Sequence, residues 1–187
     1  DKVALLSEGR NAWIIGELAI LHTGAVNVPL SIKLEESNDL IFRLVHSEAK
    51  YIMVSGSQLK KIRTIANALS DIKSIIIFDE QVDYEPNEIS LTQLKQWGKD
   101  FLLKNPDAVI NSSLSIQADD IANISYTSGT TADPKGIMLT HRNYTANVEQ
   151  ALTLMTIPPT FRTLIILPLD HCFAHVAGFY SFMASGA

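Results

Sequence analysis

Short apolar runs alternate with longer amphipathic segments along the chain. Each run is apolar at consecutive positions rather than at every second one, which is the pattern of a strand buried on both faces. The runs predict strands at residues 3–6, 26–30, 51–54, 75–78, 121–126, 136–140 and 164–169. Strands of this kind, joined through helices by right-handed crossovers, form a parallel sheet. The pattern therefore predicts an α/β fold with a mostly parallel sheet flanked by helices.

The segments between these runs carry the helical repeat. Leu40, Ile41, Leu44 and Val45 recur at the i, i+3, i+4 spacing of one helix face. Helices are predicted at residues 12–23 with Asn11 as N-cap, around 40–45, and at 59–69, 92–103, 141–155 and beyond 169. The polar stretches 79–90 and 105–120 read as exposed connections. We expect residues 1–162 to form one sheet subdomain and 163–187 to begin a second.

Composition narrows the class of protein. The 187 residues are 47% hydrophobic and 19% charged, with a formal net charge of -5, as in an ordinary globular chain. This acidity argues against nucleic-acid binding, which requires clustered Lys and Arg. A single cysteine, Cys172, excludes a disulfide framework and a multi-cysteine zinc site. No apolar run approaches the roughly 18 to 20 residues of a membrane span. A cytoplasmic location is expected, which is compatible with peripheral association with a membrane.

One loop, at residues 126–136, carries the equipment for holding phosphates. Its sequence is Tyr-Thr-Ser-Gly-Thr-Thr-Ala-Asp-Pro-Lys-Gly. Hydroxyls and free backbone N–H groups donate to phosphate oxygens, and a lysine balances their charge. The loop is not a Walker A motif, because Lys135 is followed by Gly136 and a strand-like run rather than by Ser or Thr at the start of a helix. By composition alone it could also be an ordinary surface turn.

The order of these residues, continued by Ile-Met-Leu-Thr-His-Arg-Asn, closely resembles the signature loop of adenylate-forming enzymes. That superfamily includes acyl-CoA synthetases, luciferases and the adenylation domains of peptide synthetases. The resemblance implies that the loop grips ATP while a carboxylate attacks the α-phosphorus, giving an acyl-adenylate and pyrophosphate. One position departs from the pattern, since Ala132 stands where the family most often has glycine.

The resemblance also implies roles for individual residues. It assigns nucleotide contacts to Thr127, Ser128, Gly129, Thr130, Thr131, Lys135 and Gly136. Thr127 would in addition help to hold Mg²⁺, together with a glutamate that family members carry beyond this segment. Thr131 and Lys135 are the predicted catalytic residues of the loop, Lys135 because a cation can offset the charge of the departing pyrophosphate.

A second motif, Leu-Pro-Leu-Asp-His at residues 167–171, resembles the next motif of the family. It implies that His171 lies beside the acyl pocket and helps to place the carboxylate, as a further catalytic residue. The bare sequence equally allows an ordinary hydrogen-bonded histidine at the end of a strand. His175 stands where some fatty-acid-activating relatives have a gate to the acyl tunnel, so both histidines are predicted substrate-binding residues. Trp13, the methionines and Cys172 are predicted core residues.

Upstream runs such as 9–11 and 24–30 extend the resemblance to nearly the whole chain. The leading hypothesis is an ATP-dependent carboxylic acid:CoA ligase, most similar to long-chain fatty-acid ligases, that uses ATP, Mg²⁺ and coenzyme A. Luciferase-like and amino-acid-adenylating relatives share the loop. Because the sequence starts at Asp1 and ends within an apolar stretch, we expect a piece of a longer enzyme that needs the remainder of its chain. The alternative is a non-catalytic nucleotide-binding or scaffolding module.

Overall fold

A computed structural model describes residues 1–127 and 134–187. Within these residues the strands form a seven-stranded sheet in the order β5-β4-β3-β1-β2-β6-β7. The strands are β1 Lys2–Leu6, β2 Val26–Leu30, β3 Tyr51–Val54, β4 Ser74–Ile77, β5 Glu88–Ser90, β6 Ile121–Tyr126 and β7 Gly136–Thr140. All neighbouring pairs are parallel apart from β6 and β7, which are antiparallel. The predicted α/β fold with a mostly parallel sheet is confirmed.

Helices connect the strands. They are α1 Asn11–His22, α2 Ser37–His46, α3 Gly56–Thr64, α4 Leu91–Lys104, α5 Ala108–Ser115, α6 His141–Leu154 and α7 Ser181–Ser185. A 3-10 turn, Ala66–Ala68, continues α3, and a π-helical segment, Ala174–Tyr180, leads directly into α7. Arg10, rather than Asn11, occupies the N-cap position of α1. Helix α5 lies in a stretch whose polar composition predicts only a connection.

The core has two layers because each central strand is buried on both faces. In β1, Ala4 and Leu6 face a cluster formed with α2 and α3, while Val3 and Leu5 face the opposite cluster. The second cluster also contains Trp13 of α1 and, from the C-terminal segment, Leu169, Ala174 and Phe179. Burying one such aliphatic side chain contributes about 1.5–3 kcal/mol. The consecutive apolar positions in the strands follow from this two-sided burial.

The polar stretch 79–90 is more structured than its composition indicates. The side chain of Glu88 is fully buried, and both of its carboxylate oxygens accept hydrogen bonds from Arg63, at 2.9 and 2.6 Å. Asp79 likewise accepts a bidentate pair from Arg10, at 2.9 and 2.8 Å. The Arg63–Glu88 pair holds β5 at the edge of the sheet, and the Arg10–Asp79 pair lies just after β4. The prediction of an exposed connection was wrong at these two carboxylates, because it ignored arginines distant in sequence.

The strand predicted at 164–169 is also wrong. The segment has no strand structure, and Leu164 and Ile166 are 83% and 81% exposed. An apolar run becomes a strand only when a neighbouring strand satisfies its backbone groups, and within the described residues no strand pairs with it. Leu169 is buried in the core, at 4% exposed, and Ile165 packs partly buried against the same cluster. The division of the chain near residue 163 stays a prediction.

Candidate active site

The signature loop connects the antiparallel strands β6 and β7, so its two ends meet at the sheet. Tyr126 pairs with Gly136 in the strand register. One step further, the Thr127 N–H donates to the Lys135 carbonyl at 3.0 Å, and the Lys135 N–H donates to the Thr127 Oγ1 at 3.3 Å. Residues 128–133 lie outside the described residues, and they include the predicted site residues Ser128, Gly129, Thr130 and Thr131 as well as Ala132.

Gly136 packs closely against its neighbours in this hairpin. A Cβ atom built on it would lie 3.0 Å from Ile124 Cγ2 and 3.4 Å from the ring of Tyr126. The first distance is shorter than nine in ten of the contacts that real Cβ atoms make. The absence of a side chain therefore lets the strand leave the loop directly against Tyr126.

Replacing Gly136 with alanine should open the base of the hairpin, because the added methyl group forces neighbouring side chains to shift. Overpacking of this kind costs about 1–3 kcal/mol. We expect faster hydrogen exchange at the amides of Thr127 and Lys135 and a higher KM for ATP in the complete protein. Gly98→Ala is the matched control, since a Cβ there meets nothing within 4 Å. Equal behaviour of the two variants would contradict the packing role of Gly136.

Tyr126 fastens the other side of the hairpin to α2. Its hydroxyl donates to the Arg43 carbonyl at 3.3 Å and lies 2.9 Å from His46 Nδ1. The guanidinium carbon of Arg43 lies 5.8 Å from the centroid of the tyrosine ring. Partial burial raises the pKa of Tyr126, so the hydroxyl stays protonated and can donate. These contacts attach Tyr126, which immediately precedes the loop, to α2.

A cleft at the carboxyl ends of β2 and β6 brings the two sequence motifs together. It has a volume of about 290 Å³ and is lined by Thr127 from the loop and by Asp170 and His171 from the second motif. Residues at the end of β2 and in the following turn, including Ser31 and Lys33, complete its wall. The side chain of His171 is 67% exposed. In parallel sheets ligands bind at this edge.

His175, the second predicted substrate contact, lies in the interior. It is fully buried, its Nε2 lies 2.6 Å from the Leu169 carbonyl oxygen, and its Nδ1 lies 3.1 Å from the Tyr144 hydroxyl. Burial lowers the pKa of His175 to about 4, so the ring is neutral at pH 7. His175 has no exposed surface in this structure, and both of its ring nitrogens have partners. Its role as a gate stays a prediction.

Glu17 is a polar residue of this region that the sequence reasoning missed. Only 1% exposed, it lies 3.4 Å from His175 Nδ1 and accepts a hydrogen bond from Asn27 Nδ2 at 3.2 Å. Burial raises its pKa to about 8. Its position could have been found, since the buried face of α1 comprises Trp13, Gly16, Glu17 and Ile20, at helical spacing.

Two further residues near the loop have local structural partners. Arg142, which follows the loop closely in sequence, makes a bidentate pair with Asp119, at 2.7 and 3.1 Å. The start of α6 is capped by Thr140, whose side chain forms a capping box with Asn143. Cys172 is exposed, contrary to its prediction as a core residue.

A larger, apolar cavity lies between α6 and α7. Its volume is about 520 Å³, and its lining includes Leu21, Ala122, Val148, Leu152 and Met183. Its inner wall carries the rings of two tyrosines, Tyr144 and Tyr180. Tyr144 also bonds to His175, so the cavity and the buried histidine share one side chain.

The described residues contain no preformed cluster of metal-ligand side chains of the usual kind. Among residues 1–127 and 134–187, no group of three or more His, Cys, Asp or Glu side chains could hold a metal ion. The Thr127 hydroxyl oxygen accepts one hydrogen bond and keeps a second lone pair. It therefore fits the place of a single ligand to a cation carried by phosphates. In the same residues, none of the helices is long and apolar enough to cross a membrane.

Comparison with known proteins defines the class. A model of the AMP-binding enzyme family matches residues 1–187. The chain belongs to the family of AMP-binding enzymes. It is 32% identical over 85% of its length to chalcone synthase cfoA of Aspergillus candidus, covering 6% of that protein. It is 28% identical over its full length to long chain acyl-CoA synthetase 8 of Arabidopsis thaliana, covering 26% of that protein.

The fold agrees with solved structures of such enzymes. A long-chain-fatty-acid-CoA ligase from Archaeoglobus fulgidus superimposes with a TM-score of 0.75 at 20% identity. The match covers the whole of this chain and 34% of the ligase. The chain thus spans only a fraction of the length of the relatives that it matches.

Proposed function

We propose that this chain supplies the phosphate-binding part of the active site of an ATP-dependent carboxylate-activating ligase. The reaction forms an acyl-adenylate and then an acyl-CoA thioester. The observation that carries the proposal is the cleft in which Thr127, at the base of the signature loop, and His171, from a distant motif, line one space. An ordinary surface turn would give no reason for these two motifs to converge.

The chemistry makes specific demands on the loop. A carboxylate oxygen of the acid attacks the α-phosphorus of ATP, and the bond from that phosphorus to the pyrophosphate oxygen breaks. Negative charge then collects on the leaving pyrophosphate, where preorganised donors and a cation are most effective. Mg²⁺, held in part by Thr127, supplies charge neutralisation when it is bound. Lys135 and the hydroxyls of Ser128, Thr130 and Thr131 bind the phosphates, and Gly129 and Gly136 allow the backbone to approach them.

The same geometry supports a role for His171 at the substrate carboxylate. It is exposed in the cleft that Thr127 also lines, and its Nε2 lies 3.8 Å from an Asp170 carboxylate oxygen. A neutral or charged imidazole N–H can donate to the attacking carboxylate and hold it in line. His171 thereby orients the acid while the loop holds ATP.

The finer part of the proposal is that the acid is a long-chain fatty acid. The cavity between α6 and α7 has a mostly apolar lining, which also includes the charged Glu149 and the titratable His141. An alkyl chain requires a mostly apolar surface of this kind. Relatives whose names specify long-chain acyl substrates point in the same direction. Coenzyme A is then the acceptor, and residues 163–187 begin the part of the enzyme that faces the acid.

The test is acid-dependent exchange of labelled pyrophosphate into ATP by the complete protein that contains this sequence. A panel of fatty, aromatic and amino acids would identify the substrate class. Exchange with long-chain fatty acids, followed by thioester formation on addition of coenzyme A, is the expected result. ATP binding without exchange for any acid would favour the alternative of a non-catalytic nucleotide-binding module.

His171→Ala should lower the rate of exchange by about 10- to 100-fold, since misorientation of a reactant commonly costs that much. The loss should appear mainly with the acid as varied substrate, while the KM for ATP changes little. His22→Ala serves as the control, because His22 is exposed on α1 and does not line the cleft. A rate for His171→Ala that matches the control would remove His171 from the site.

A further inference from the structure

The buried ring of His175 contacts the backbone of the segment that carries His171. Nε2 of His175 lies 2.6 Å from the carbonyl oxygen of Leu169. A carbonyl oxygen only accepts hydrogen bonds, so Nε2 must carry the proton and donate. This is a short bond between fully buried partners, since Leu169 is 4% and His175 0% exposed.

The rest of the ring is fixed by its surroundings. Nδ1 faces the Tyr144 hydroxyl at 3.1 Å and Glu17 Oε1 at 3.4 Å. Ring centroids of Trp13, Tyr144 and Phe179 lie 5.4, 5.7 and 5.8 Å from that of the imidazole. Polar partners at both nitrogens and aromatic rings around the imidazole fix its orientation. In this orientation the Nε2–H points at the Leu169 carbonyl.

This arrangement matters because the chain around Leu169 has few other anchors. Leu164, Ile166 and Leu167 are exposed, Ile165 is only partly buried against the second cluster, and the backbone has no strand structure there. Beyond Leu169, the His171 N–H donates to the Pro168 carbonyl at 3.2 Å, and the Ala174 N–H donates to the His171 carbonyl at 2.9 Å. The turn that presents His171 is thus tied to the core at the Leu169 side chain and at the Leu169 carbonyl.

We propose that His175 is a positioning residue for His171: its Nε2–H, donated to the Leu169 carbonyl, sets where the His171 imidazole stands in the cleft. The expected effect on catalysis rests on the proposed function. The effect on the position of the His171 imidazole does not. A positioning role differs from the role of gate that the sequence indicates for His175. The buried ring acts through the backbone of the turn and never contacts the substrate.

The test uses three variants of His175 in the complete protein. In His175→Gln the amide nitrogen stands at the same number of bonds from Cα as Nε2, so the donor to Leu169 is retained. In His175→Asn the same amide group reaches only as far as Nδ1, and in His175→Leu an apolar side chain fills the space. Only the glutamine variant can restore the bond to the Leu169 carbonyl.

We expect kcat/KM for the acid to fall by about 10- to 100-fold in the asparagine and leucine variants and to stay within about threefold of wild type in the glutamine variant. The KM for ATP should change less than about twofold in all three. A merely structural role would instead reduce the folded fraction and leave the parameters of the folded enzyme alike. Equal losses in the glutamine and leucine variants, or no loss in the leucine variant, would overturn the proposal.

A second measurement does not depend on catalysis. Hydrogen exchange at the His171 amide should become faster in the asparagine and leucine variants and remain slow in the glutamine variant, because the turn loses its tie to the core. Unchanged exchange in the leucine variant would overturn the proposal even in an inactive protein. Absence of pyrophosphate exchange in the wild type, by contrast, would refute the proposed function and leave this measurement to decide the role of His175.

Discussion

Lys135→Ala is expected to lower acid-dependent pyrophosphate exchange by about 100- to 1,000-fold in the complete protein. Removing one preorganised group that stabilises developing charge typically costs this much. Lys135 stands at the end of the signature loop, where its N–H and carbonyl are both bonded to Thr127. Its side chain therefore starts from a fixed backbone position beside the cleft. Steady-state exchange with ATP and acid varied in turn measures the effect.

Lys99→Ala is the matched control, because Lys99 is an exposed lysine on α4 that lines neither the cleft nor the apolar cavity. Lys99→Ala should retain wild-type pyrophosphate exchange. Because both variants lose one positive charge, a difference between them reports the position of Lys135 and not the net charge of the protein. Lys135→Arg keeps the charge but not its compact shape, so partial activity is expected. Undiminished exchange in Lys135→Ala would refute the phosphate role of the loop.

The fold could be predicted from the sequence where burial alone decides it. Runs such as residues 3–6 and 51–54 are apolar at consecutive positions because both faces of the sheet are covered, and this pattern is visible without coordinates. The run 164–169 has a similar composition but, among the described strands, no neighbour, and composition cannot report a missing partner. For β5 the opposite holds, since a distant arginine, Arg63, neutralises Glu88 and allows a polar segment to join the sheet.

The candidate site also has features that the sequence predicts and features that it does not. The signature loop and the motif at 167–171 could be read as strings of residues, and the structure adds that Thr127 and His171 line one cleft. The burial of His175 could not be read in this way, because it depends on α1, α6 and the π-helical segment together. Glu17 was missed because a carboxylate is ordinarily exposed unless it has a partner, and its partners are distant in sequence.

Trp13→Ala should destabilise the sheet more than truncation of any single aliphatic side chain in the same cluster. Trp13 is 1% exposed at the centre of the second cluster, with the ring of Phe179 at 6.4 Å in an edge-on arrangement. Truncating a buried Trp to Ala typically costs about 3–5 kcal/mol. Native-state hydrogen exchange at the amides of β1 and β3 measures the free energy of opening of this sheet within a longer protein.

Trp97→Ala provides the control that the chain itself offers, since Trp97 is 51% exposed on α4. Its loss should change the free energy of opening by less than about 1 kcal/mol. Equal effects of the two variants would refute the assignment of Trp13 to the core. Because the Trp13 ring also packs on His175 at 5.4 Å, the cavity left by Trp13→Ala should release the turn of His171 as well. Stability and acid-dependent exchange are therefore expected to fall together in this variant, whereas His175→Gln should preserve the exchange.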